Sequence, residues 1–216
     1  MSPLKKEITA LLEKKEYSAL VRLSLADKKI ISILISLSYD KDNTTSWRAM
    51  EAIGLAAKEI SKTDPATVRN IVGRLLWMIR DESGGIGWSV PEILGEIVRN
   101  TPVLCADIAP IIVSFHEEIM LCPGVLWALG RMGKINDETV NYAVPIIISC
   151  LGSGDNTLRG YAARALGEMG SEASVTELEN LRDDTSRIKF YEDGELNEKS
   201  VGELASGSIV KLRTMA

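Results

Sequence analysis

The strongest constraint on the fold is a short pattern that occurs five times along the chain. Each copy ends in glycine and carries small or aliphatic side chains at helical spacing. The copies are residues 47–54, 88–95, 123–130, 160–167 and 200–207, so their terminal glycines stand 35 to 41 residues apart. This period is typical of two-helix repeat units, which stack because a single unit cannot bury its own apolar face.

The apolar positions of each copy form one narrow helical face beside the glycine. In the fourth copy this face consists of Tyr161, Ala162, Ala165, Leu166 and Met169. A glycine inside a helix costs about 1 kcal/mol relative to alanine, so its recurrence at one register predicts a crowded contact between helices. We therefore expect Gly167 to touch the neighbouring helix.

Segments with the same period and larger apolar residues lie between the copies, for example 108–115 and 140–151, and these are predicted to be outer helices. The first forty residues predict three further helices at 4–14, 17–26 and 28–39, of which the last is the outer helix of the first repeat. The predicted fold is all-α, an α-α superhelix of about five helix pairs plus N-terminal helices. One domain is expected over 1–216, with N-terminal helices in 1–39 and repeats in 40–212.

Residues 155–184 resemble a HEAT repeat, in particular the HEAT-like type named after phycobilisome lyases. The resemblance is carried by Asp155-Asn-Thr in the turn and by Leu-Arg-Gly-Tyr-Ala-Ala-Arg-Ala-Leu-Gly-Glu-Met-Gly170 after it. The copies that end at Gly95 and Gly130 lack the arginine of the family after the turn, and the copy at Gly207 matches loosely. Residues 80–92 are also similar to HEAT-like proteins of anaerobic bacteria, a likeness that carries no function.

Composition excludes several classes of protein. The apolar fraction is 45% and the formal net charge is −5, as in folded globular proteins. The longest apolar runs, 30–37 and 144–151, fall far short of the ~20 residues that a membrane helix needs. The first residues carry charges and no apolar leader core, which predicts a cytoplasmic protein. The odd number of cysteines in apolar surroundings predicts structural thiols at Cys105, Cys122 and Cys150.

Residues suited to catalysis or metal binding are few. His116 is the one histidine of the sequence, and no paired Cys-x-x-Cys, His-Glu-x-x-His or nucleophile-elbow motif occurs. We therefore predict no catalytic residue, no metal and no cofactor. The glycine-rich residues 83–88 precede a helix but lack the lysine of a phosphate-binding loop, so they are predicted to form a turn. Trp88 there is a candidate anchor for a partner, with packing against the next repeat as the alternative.

A candidate binding surface follows from the positions three before and one after each glycine, which point away from the apolar stripe. On stacked inner helices these positions should form a row across the concave face. The candidate partner-binding residues in this row are Glu51, Glu92, Glu96, Trp127, Arg131, Arg164 and Glu168. We expect Trp127 to be exposed beside Arg131, as in an interface hot spot. The alternative is a set of solvated charges, with an Arg164–Glu168 pair and Trp127 tucked under a neighbouring helix.

Residues 183–199 lengthen the turn before the last copy and are predicted to form an exposed loop. The aromatic pair Phe190-Tyr191 within it could pack on the end of the stack or dock a partner, and packing is favoured because the last repeat needs a cap.

The HEAT-like resemblance implies a non-enzymatic interaction module that binds a protein partner on its concave face. One alternative is nucleic-acid binding, since some bacterial DNA glycosylases are built from HEAT-like repeats around a cationic groove. Phosphates need a basic surface, whereas Glu51, Glu92 and Glu96 make the predicted groove acidic, so a protein partner is favoured over nucleic acid. A lyase or chaperone-like subunit acting on a cofactor-bearing protein is a third reading, and it rests on the resemblance alone.

Overall fold

The computed structural model describes residues 2–80 and 87–215. The chain divides into two compact units. Unit 1 comprises Met1–Cys105 and Tyr191–Leu196, and unit 2 comprises Ala106–Phe190 and Asn197–Ala216. The expectation of one domain over 1–216 stays a prediction.

Unit 1 is built from helix pairs. Its helices are α1 (Pro3–Glu13), α2 (Tyr17–Ala26), α3 (Lys29–Leu37), α4 (Thr44–Ser61), α5 (Pro65–Arg80), α6 (Val90–Asn100) and the short α7 (Pro102–Cys105). Helices α2, α4 and α6 pack side by side and form the inner layer of unit 1. Helices α1, α3 and α5 each pack on the helix that follows and form the outer layer. The predicted N-terminal helices are thus confirmed, and α1 and α2 form a pair of their own.

Unit 2 repeats this arrangement. Its helices are α8 (Ala109–Ser114), α9 (Cys122–Met132), α10 (Asp137–Cys150), α11 (Asn156–Met169), α12 (Val175–Glu179) and α13 (Val201–Met215). Helices α9, α11 and α13 are neighbours in one layer, and α8, α10 and α12 pack on them in the same order. The predicted class of stacked helical repeats is therefore confirmed.

Polar residues in the turns fix where several repeat helices begin. The side chain of Asn43 accepts a hydrogen bond from the Thr45 amide at 2.9 Å at the start of α4. Asp155 accepts one from the Thr157 amide at 2.7 Å at the start of α11. These side chains satisfy amides that have no partner inside the helix. Helix α11 ends at Met169 and is capped by Gly170, whose φ of 73° is the left-handed conformation that favours glycine.

The recurring glycines mark tight contacts between inner helices in two of the copies. A Cβ atom added to Gly54 would lie 2.7 Å from the Glu96 carbonyl oxygen of α6. A Cβ added to Gly167 would lie 2.5 Å from the Cβ and 2.8 Å from the Cα of Ser208 on α13. The predicted close approach at Gly167 is therefore confirmed. Gly207, by contrast, has open space around it.

The prediction of an exposed loop over 183–199 is wrong, because most of this segment is a β-hairpin. Strands β1 (Arg187–Glu192) and β2 (Glu195–Ser200) pair with each other and are joined by Asp193 and Gly194. The φ values of these two residues are 53° and 78°, the positive pair that a type I′ turn requires and that Asp-Gly supplies. The hairpin is a local addition to the predicted helical-repeat fold.

The aromatic pair of the hairpin is buried as expected, since Phe190 is 4% exposed and Tyr191 is 1% exposed, but the two rings pack on inner helices and not on the end of the stack. In unit 2, the Phe190 ring lies edge-on to Tyr161 with ring centres 5.9 Å apart. The Tyr161 hydroxyl donates a hydrogen bond to the Lys189 carbonyl at 3.1 Å. The base of the hairpin is therefore held on α11.

Candidate partner-binding surface

Glu51, the first residue of the predicted binding row, is engaged by aromatic side chains of unit 1. Its Oε2 atom accepts hydrogen bonds from the Tyr191 hydroxyl at 2.6 Å and the Tyr17 hydroxyl at 2.9 Å. The Tyr191 ring stacks on Trp47, with ring centres 5.7 Å apart and planes 15° apart. The hairpin tip of residues 191–196 thus covers this part of α4.

Arg48, the next residue after Trp47, anchors the hairpin tip. Its Nη2 nitrogen donates to the Glu195 carboxylate and lies 3.0 Å from each of the two oxygens. It also donates to the carbonyls of Gly194 at 2.7 Å, Glu13 at 2.9 Å and Leu12 at 3.2 Å. Charged donors make stronger hydrogen bonds than neutral ones, and Arg48 is only 8% exposed. The tip is therefore tied to both α4 and the end of α1.

Burial changes the acidity of the two tyrosines that bind Glu51. Burial away from water raises the pKa of Tyr191 well above its usual range, and the nearby Glu51 carboxylate raises it further. Burial likewise raises the pKa of Tyr17 above its usual range. Both hydroxyls therefore remain protonated donors to Glu51 into the alkaline range.

The expectation that Glu92 and Glu96 line an exposed groove is wrong. Both side chains lie on α6, where they are 1% and 0% exposed. All residues from Val90 to Val98 on this helix are buried, so no side of it forms an open charged surface. The Glu92 carboxylate pairs with the Lys41 ammonium at 2.5 Å, and an Arg99 nitrogen lies 3.6 Å from Glu96 Oε2. Buried carboxylates need such partners.

The expectation that Trp127 is exposed is also wrong. Trp127 lies on α9 in unit 2 and is 3% exposed, which matches the alternative of a tucked ring. The guanidinium of Arg131 lies 5.4 Å from the centre of the Trp127 ring, within range of a cation–π interaction. The predicted pair of Trp127 and Arg131 therefore exists, but the indole packs inside the protein. Arg131 is half-buried.

Arg164 and Glu168 form the i, i+4 pair that was the alternative to a binding role. Their N–O distance is 2.8 Å, and both are half-buried on α11. The Lys211 ammonium of α13 pairs with the same carboxylate. The charges of this row in unit 2 are thus linked to one another across adjacent helices.

Trp88 is the one member of the predicted set with an exposed side chain, at 59%. It lies in a 3₁₀ turn (Gly87–Ser89) before α6, and its carbonyl accepts a hydrogen bond from Lys41 at 2.8 Å. Residues 83–86 of the glycine-rich segment lie outside the described residues. Trp88 therefore remains a candidate anchor, held by its backbone while its ring faces solvent.

A groove on the outer layer of unit 1 offers a second candidate. It lies between α3 and α5, and its volume is about 200 Å³. Its floor is apolar and its rim is polar, and its lining residues are Lys28, Ile31, Ser32, Ile35, Thr67, Asn70, Ile71 and Arg74. The Lys28 ammonium bonds Thr67 Oγ1 at 2.8 Å and pairs with Asp64, and this pairing lowers the pKa of Asp64 to about 2.

Exposed aromatic side chains extend this groove along α5 and at the end of α3. Trp77 is 66% exposed and lies three residues after Arg74, on the same side of the helix. Tyr39 follows α3 and is 38% exposed; burial raises its pKa, while the charge of Arg74 acts in the opposite direction. The groove together with Trp77 and Tyr39 is called the α3–α5 surface below.

The charge of α5 distinguishes it from the chain as a whole. Helix α5 contains Arg69, Arg74 and Arg80 and no aspartate or glutamate, although the chain carries a net charge of −5. The repeat pattern of the sequence does not point to this surface, because the pattern lies on the inner helices. The readable signal was the run of three arginines without a carboxylate, with a tryptophan one turn after the second.

Over the described ranges, no group of three or more histidine, cysteine, aspartate or glutamate side chains is placed to hold a metal ion. In the same part of the chain, no helix combines the length and the apolar character that crossing a bilayer requires.

Comparison with known sequences finds a family match for one repeat. Residues 158–184 match the PBS lyase HEAT-like repeat. They include most of α11, the helix that carried the resemblance in the sequence. Over 175 residues, the chain is also 26% identical to an uncharacterized protein of Archaeoglobus fulgidus, and this alignment covers 80% of the chain and 92% of the relative.

Solved structures share the fold at low sequence identity. An engineered protein superposes with a TM-score of 0.57 and 15% identity, over 99% of this chain and 98% of that one. A computationally designed armadillo repeat protein for modular peptide recognition superposes with a TM-score of 0.51 and 14% identity, over 95% and 98% of the two chains. At these identities the likeness establishes the helical-repeat fold.

Proposed function

We propose that this chain is a non-catalytic interaction module that binds an acidic segment of a partner protein on the α3–α5 surface. The observation that carries the proposal is the exposed pair of Arg74 and Trp77 on α5, a helix that contains no carboxylate. In a chain of net charge −5, such a helix favours an acidic ligand. Exposed tryptophan next to arginine is also the composition of binding hot spots.

The inner-helix row supports binding less well than the sequence suggested. Glu51 is already bound by Tyr17 and Tyr191, and Glu92 and Glu96 are buried. A partner at Glu51 would first have to displace the hairpin tip and the bonds that Arg48 makes to it. A partner on the outer layer of unit 1 does not have to displace the hairpin tip.

The size of the groove favours a peptide-like ligand over a small molecule. Pockets for small molecules have volumes of about 300–1,000 Å³, whereas this groove has about 200 Å³. It can accept one or two apolar side chains over Ile31, Ile35 and Ile71. Arg74, which lines the groove, would then pair with a carboxylate of the same segment.

Nucleic acid is the competing ligand, because arginine and tryptophan also bind phosphates and bases. A protein partner is favoured because a phosphate backbone needs a continuous basic surface, whereas the pairing of Lys28 with Asp64 places a carboxylate at the α3 rim of the groove. A peptide segment can instead place single carboxylates opposite Arg74.

The proposal is tested by photo-crosslinking in cells that naturally express the chain. A photoreactive residue replaces Asn70 in the groove or, as control, the exposed Val210 on α13, which is 62% accessible. We expect a discrete protein adduct at position 70 that survives nuclease treatment and maps to a segment rich in aspartate and glutamate. Arg74→Glu should abolish the adduct, whereas Lys134→Glu, the same charge reversal in unit 2, should leave it.

Three results would overturn the proposal. An adduct that nuclease removes would identify nucleic acid as the ligand. Equal crosslinking at positions 70 and 210 would mean that the α3–α5 surface has no specific role. An adduct at position 70 that is insensitive to Arg74→Glu would remove the electrostatic basis of the proposed recognition.

A further inference from the structure

Three of the recurring glycines mark the side of an inner helix on which the next inner helix packs. Gly54 and Gly167 face α6 and α13 at distances that leave no room for a side chain. Gly130 on α9 faces α11 in the same way, since a Cβ atom added to it would lie 3.6 Å from the Ala165 Cα. The glycine side of these helices is therefore a surface that receives another helix.

The corresponding side of α13 is open. A Cβ atom added to Gly207 would have no described atom beyond its own helix within 4 Å. The exposed residues on this line of α13 follow helical spacing and are Glu203, Gly207, Val210 and Thr214, of which Val210 is 62% exposed. The opposite side, which includes Ser208, is buried against α11. Helix α13 thus presents to solvent the side on which the earlier helices receive their neighbour.

Helix α2 presents a second exposed line of the same spacing. It belongs to the inner layer of unit 1 and packs on α1, α3 and α4. Its exposed residues include Ser18, Arg22 and Leu25, and Leu25 is 46% exposed. Over the described ranges, the guanidinium of Arg22 pairs with no carboxylate. The helix therefore carries an unpaired positive charge one turn before an exposed apolar side chain.

The two lines complement each other when the helices run in the same direction, as successive inner helices of a repeat stack do. Leu25 then lies beside Val210, so an apolar residue meets an apolar residue. Arg22 crosses α13 at Gly207, where the absence of a side chain leaves room for the arginine stem, and its charge reaches towards the Glu203 carboxylate one turn away. Opposite charges at these positions favour this alignment over others.

The Glu203 carboxylate remains ionised at neutral pH. Its Oε2 atom accepts a hydrogen bond from the Ser200 amide at 2.5 Å at the start of α13, and this bond lowers the pKa of Glu203. The side chain is exposed, so an arginine from solution can approach it.

We infer that the open side of α13 binds helix α2 of a second copy of this chain. The inference rests on the open position at Gly207, on the helices that occupy the equivalent positions within the chain, and on the opposite charges of Arg22 and Glu203. One helix packed on another is a small interface, so the association should be weak and should increase with protein concentration. Because the two faces differ, each copy can bind one copy through α2 and another through α13.

Sedimentation velocity of the purified full chain over a series of concentrations tests the inference. We expect the average mass of the wild type to rise above that of one chain as the concentration increases. Gly207→Leu fills the open position on α13, and Arg22→Glu places a like charge opposite Glu203. Each variant alone should remain a monomer. An equimolar mixture of the two should form a dimer and nothing larger, because each variant keeps the face that the other lacks.

Two further variants and a stability measurement serve as controls. Gly207→Leu should keep or raise the urea midpoint, because the glycine contacts no neighbouring element and leucine is the better helix former. Gly73→Leu fills another open position, on α5, and should associate like the wild type. Lys134→Glu, the matched charge reversal in unit 2, should do the same.

Three outcomes would overturn the inference. The first is a wild type that remains a monomer at every concentration. The second is an Arg22→Glu variant that associates by itself as strongly as the wild type, which would mean that α13 does not bind α2. The third is an equimolar mixture of the two variants that stays monomeric.

The crosslinking experiment described above gives an independent check in cells. A photoreactive residue at position 210 lies on the open side of α13, so its adduct should contain two copies of this chain. The mass of that adduct separates it from the partner adduct of position 70, and Arg22→Glu should remove the first adduct and leave the second. Loss of both adducts, or of neither, would contradict the assignment of α13 to self-association.

Discussion

Unit 1 contains two Trp–Arg pairs, one on each helix layer, and the two pairs differ in burial and in hydrogen bonding. Trp47 and Arg48 lie on α4 in the inner layer, and Trp77 and Arg74 lie on α5 in the outer layer. Trp47 is 2% exposed and stacked on Tyr191, whereas Trp77 is 66% exposed. Arg48 bonds three carbonyls and Glu195, whereas Arg74 donates to the Ser32 hydroxyl at 3.2 Å.

The difference teaches that the role of a Trp–Arg pair is decided by what covers it. The hairpin tip of residues 191–196 converts the inner pair into part of the core, while the outer pair faces solvent and is available to a partner. This contrast predicts a graded series of effects on stability, from the inner pair to the outer one.

Trp47→Ala should have the largest effect. The substitution removes the ring that stacks on Tyr191 and the indole donor to the Lys41 carbonyl at 2.9 Å. Burying such a side chain is worth about 3–5 kcal/mol, so we expect the free energy of unfolding in urea to fall by that amount. Trp47→Phe keeps a ring for stacking and should lose clearly less. A loss below about 1 kcal/mol for the alanine variant would contradict the proposed role of the hairpin tip.

Arg48→Leu should have the second largest effect. It leaves the carbonyls of Leu12, Glu13 and Gly194 without their charged donor, at an expected total of about 2–3 kcal/mol. Faster amide hydrogen exchange over residues 191–196 should accompany the loss of stability, because the tip loses its anchor. Arg74→Leu is the matched control, and it should change neither quantity. Unchanged exchange in Arg48→Leu would mean that aromatic stacking alone holds the tip.

Alkaline pH should lower the stability of the protein through Tyr17 and Tyr191, the tyrosines beside the inner Trp–Arg pair. Tyr17 and Tyr191 have raised pKa values in the folded state, so the unfolded chain releases their protons first as the pH passes 10. Stability is therefore fully present below pH 10 and falls above it, by up to about 1.4 kcal/mol per pH unit for each tyrosine. Urea unfolding at pH 8 and pH 10.5 measures this fall, which Tyr191→Phe should reduce. An equal fall in the variant would contradict the role given to Tyr191.

The repeat architecture was predictable from sequence because its determinants are local and periodic. Glycines that touch a neighbouring helix, such as Gly54 and Gly167, recur at one register, and Asp155 marks a helix start by its capping chemistry. The hairpin was also readable in principle, since Asp193-Gly194 is a strong turn signal. It was missed because two strands of six residues, only one of them strongly apolar, do not stand out among helices.

The candidate site was less predictable because helical register gives the direction of a side chain and not what lies in that direction. Glu51 points away from the apolar stripe as expected, but the residue that covers it, Tyr191, is 140 positions away. Glu92 is covered in the same way, by Lys41 from a preceding turn. The charge of α5 needed no such long-range knowledge and could have been read from its arginines.

Trp77→Ala should have the smallest effect on stability and the largest on binding. Truncation of a side chain that is 66% exposed changes the free energy of unfolding by no more than about 0.5 kcal/mol, so the urea midpoint should stay at the wild-type value. The partner adduct formed from position 70 should nevertheless be lost, because the ring contributes contact area only in the complex. Trp88→Ala removes the other exposed tryptophan of unit 1 and is the matched control. This variant should keep the adduct formed from position 70. If Trp77→Ala destabilises the chain as much as Trp47→Ala does, both tryptophans are core residues. The outer layer would then not serve as a binding surface.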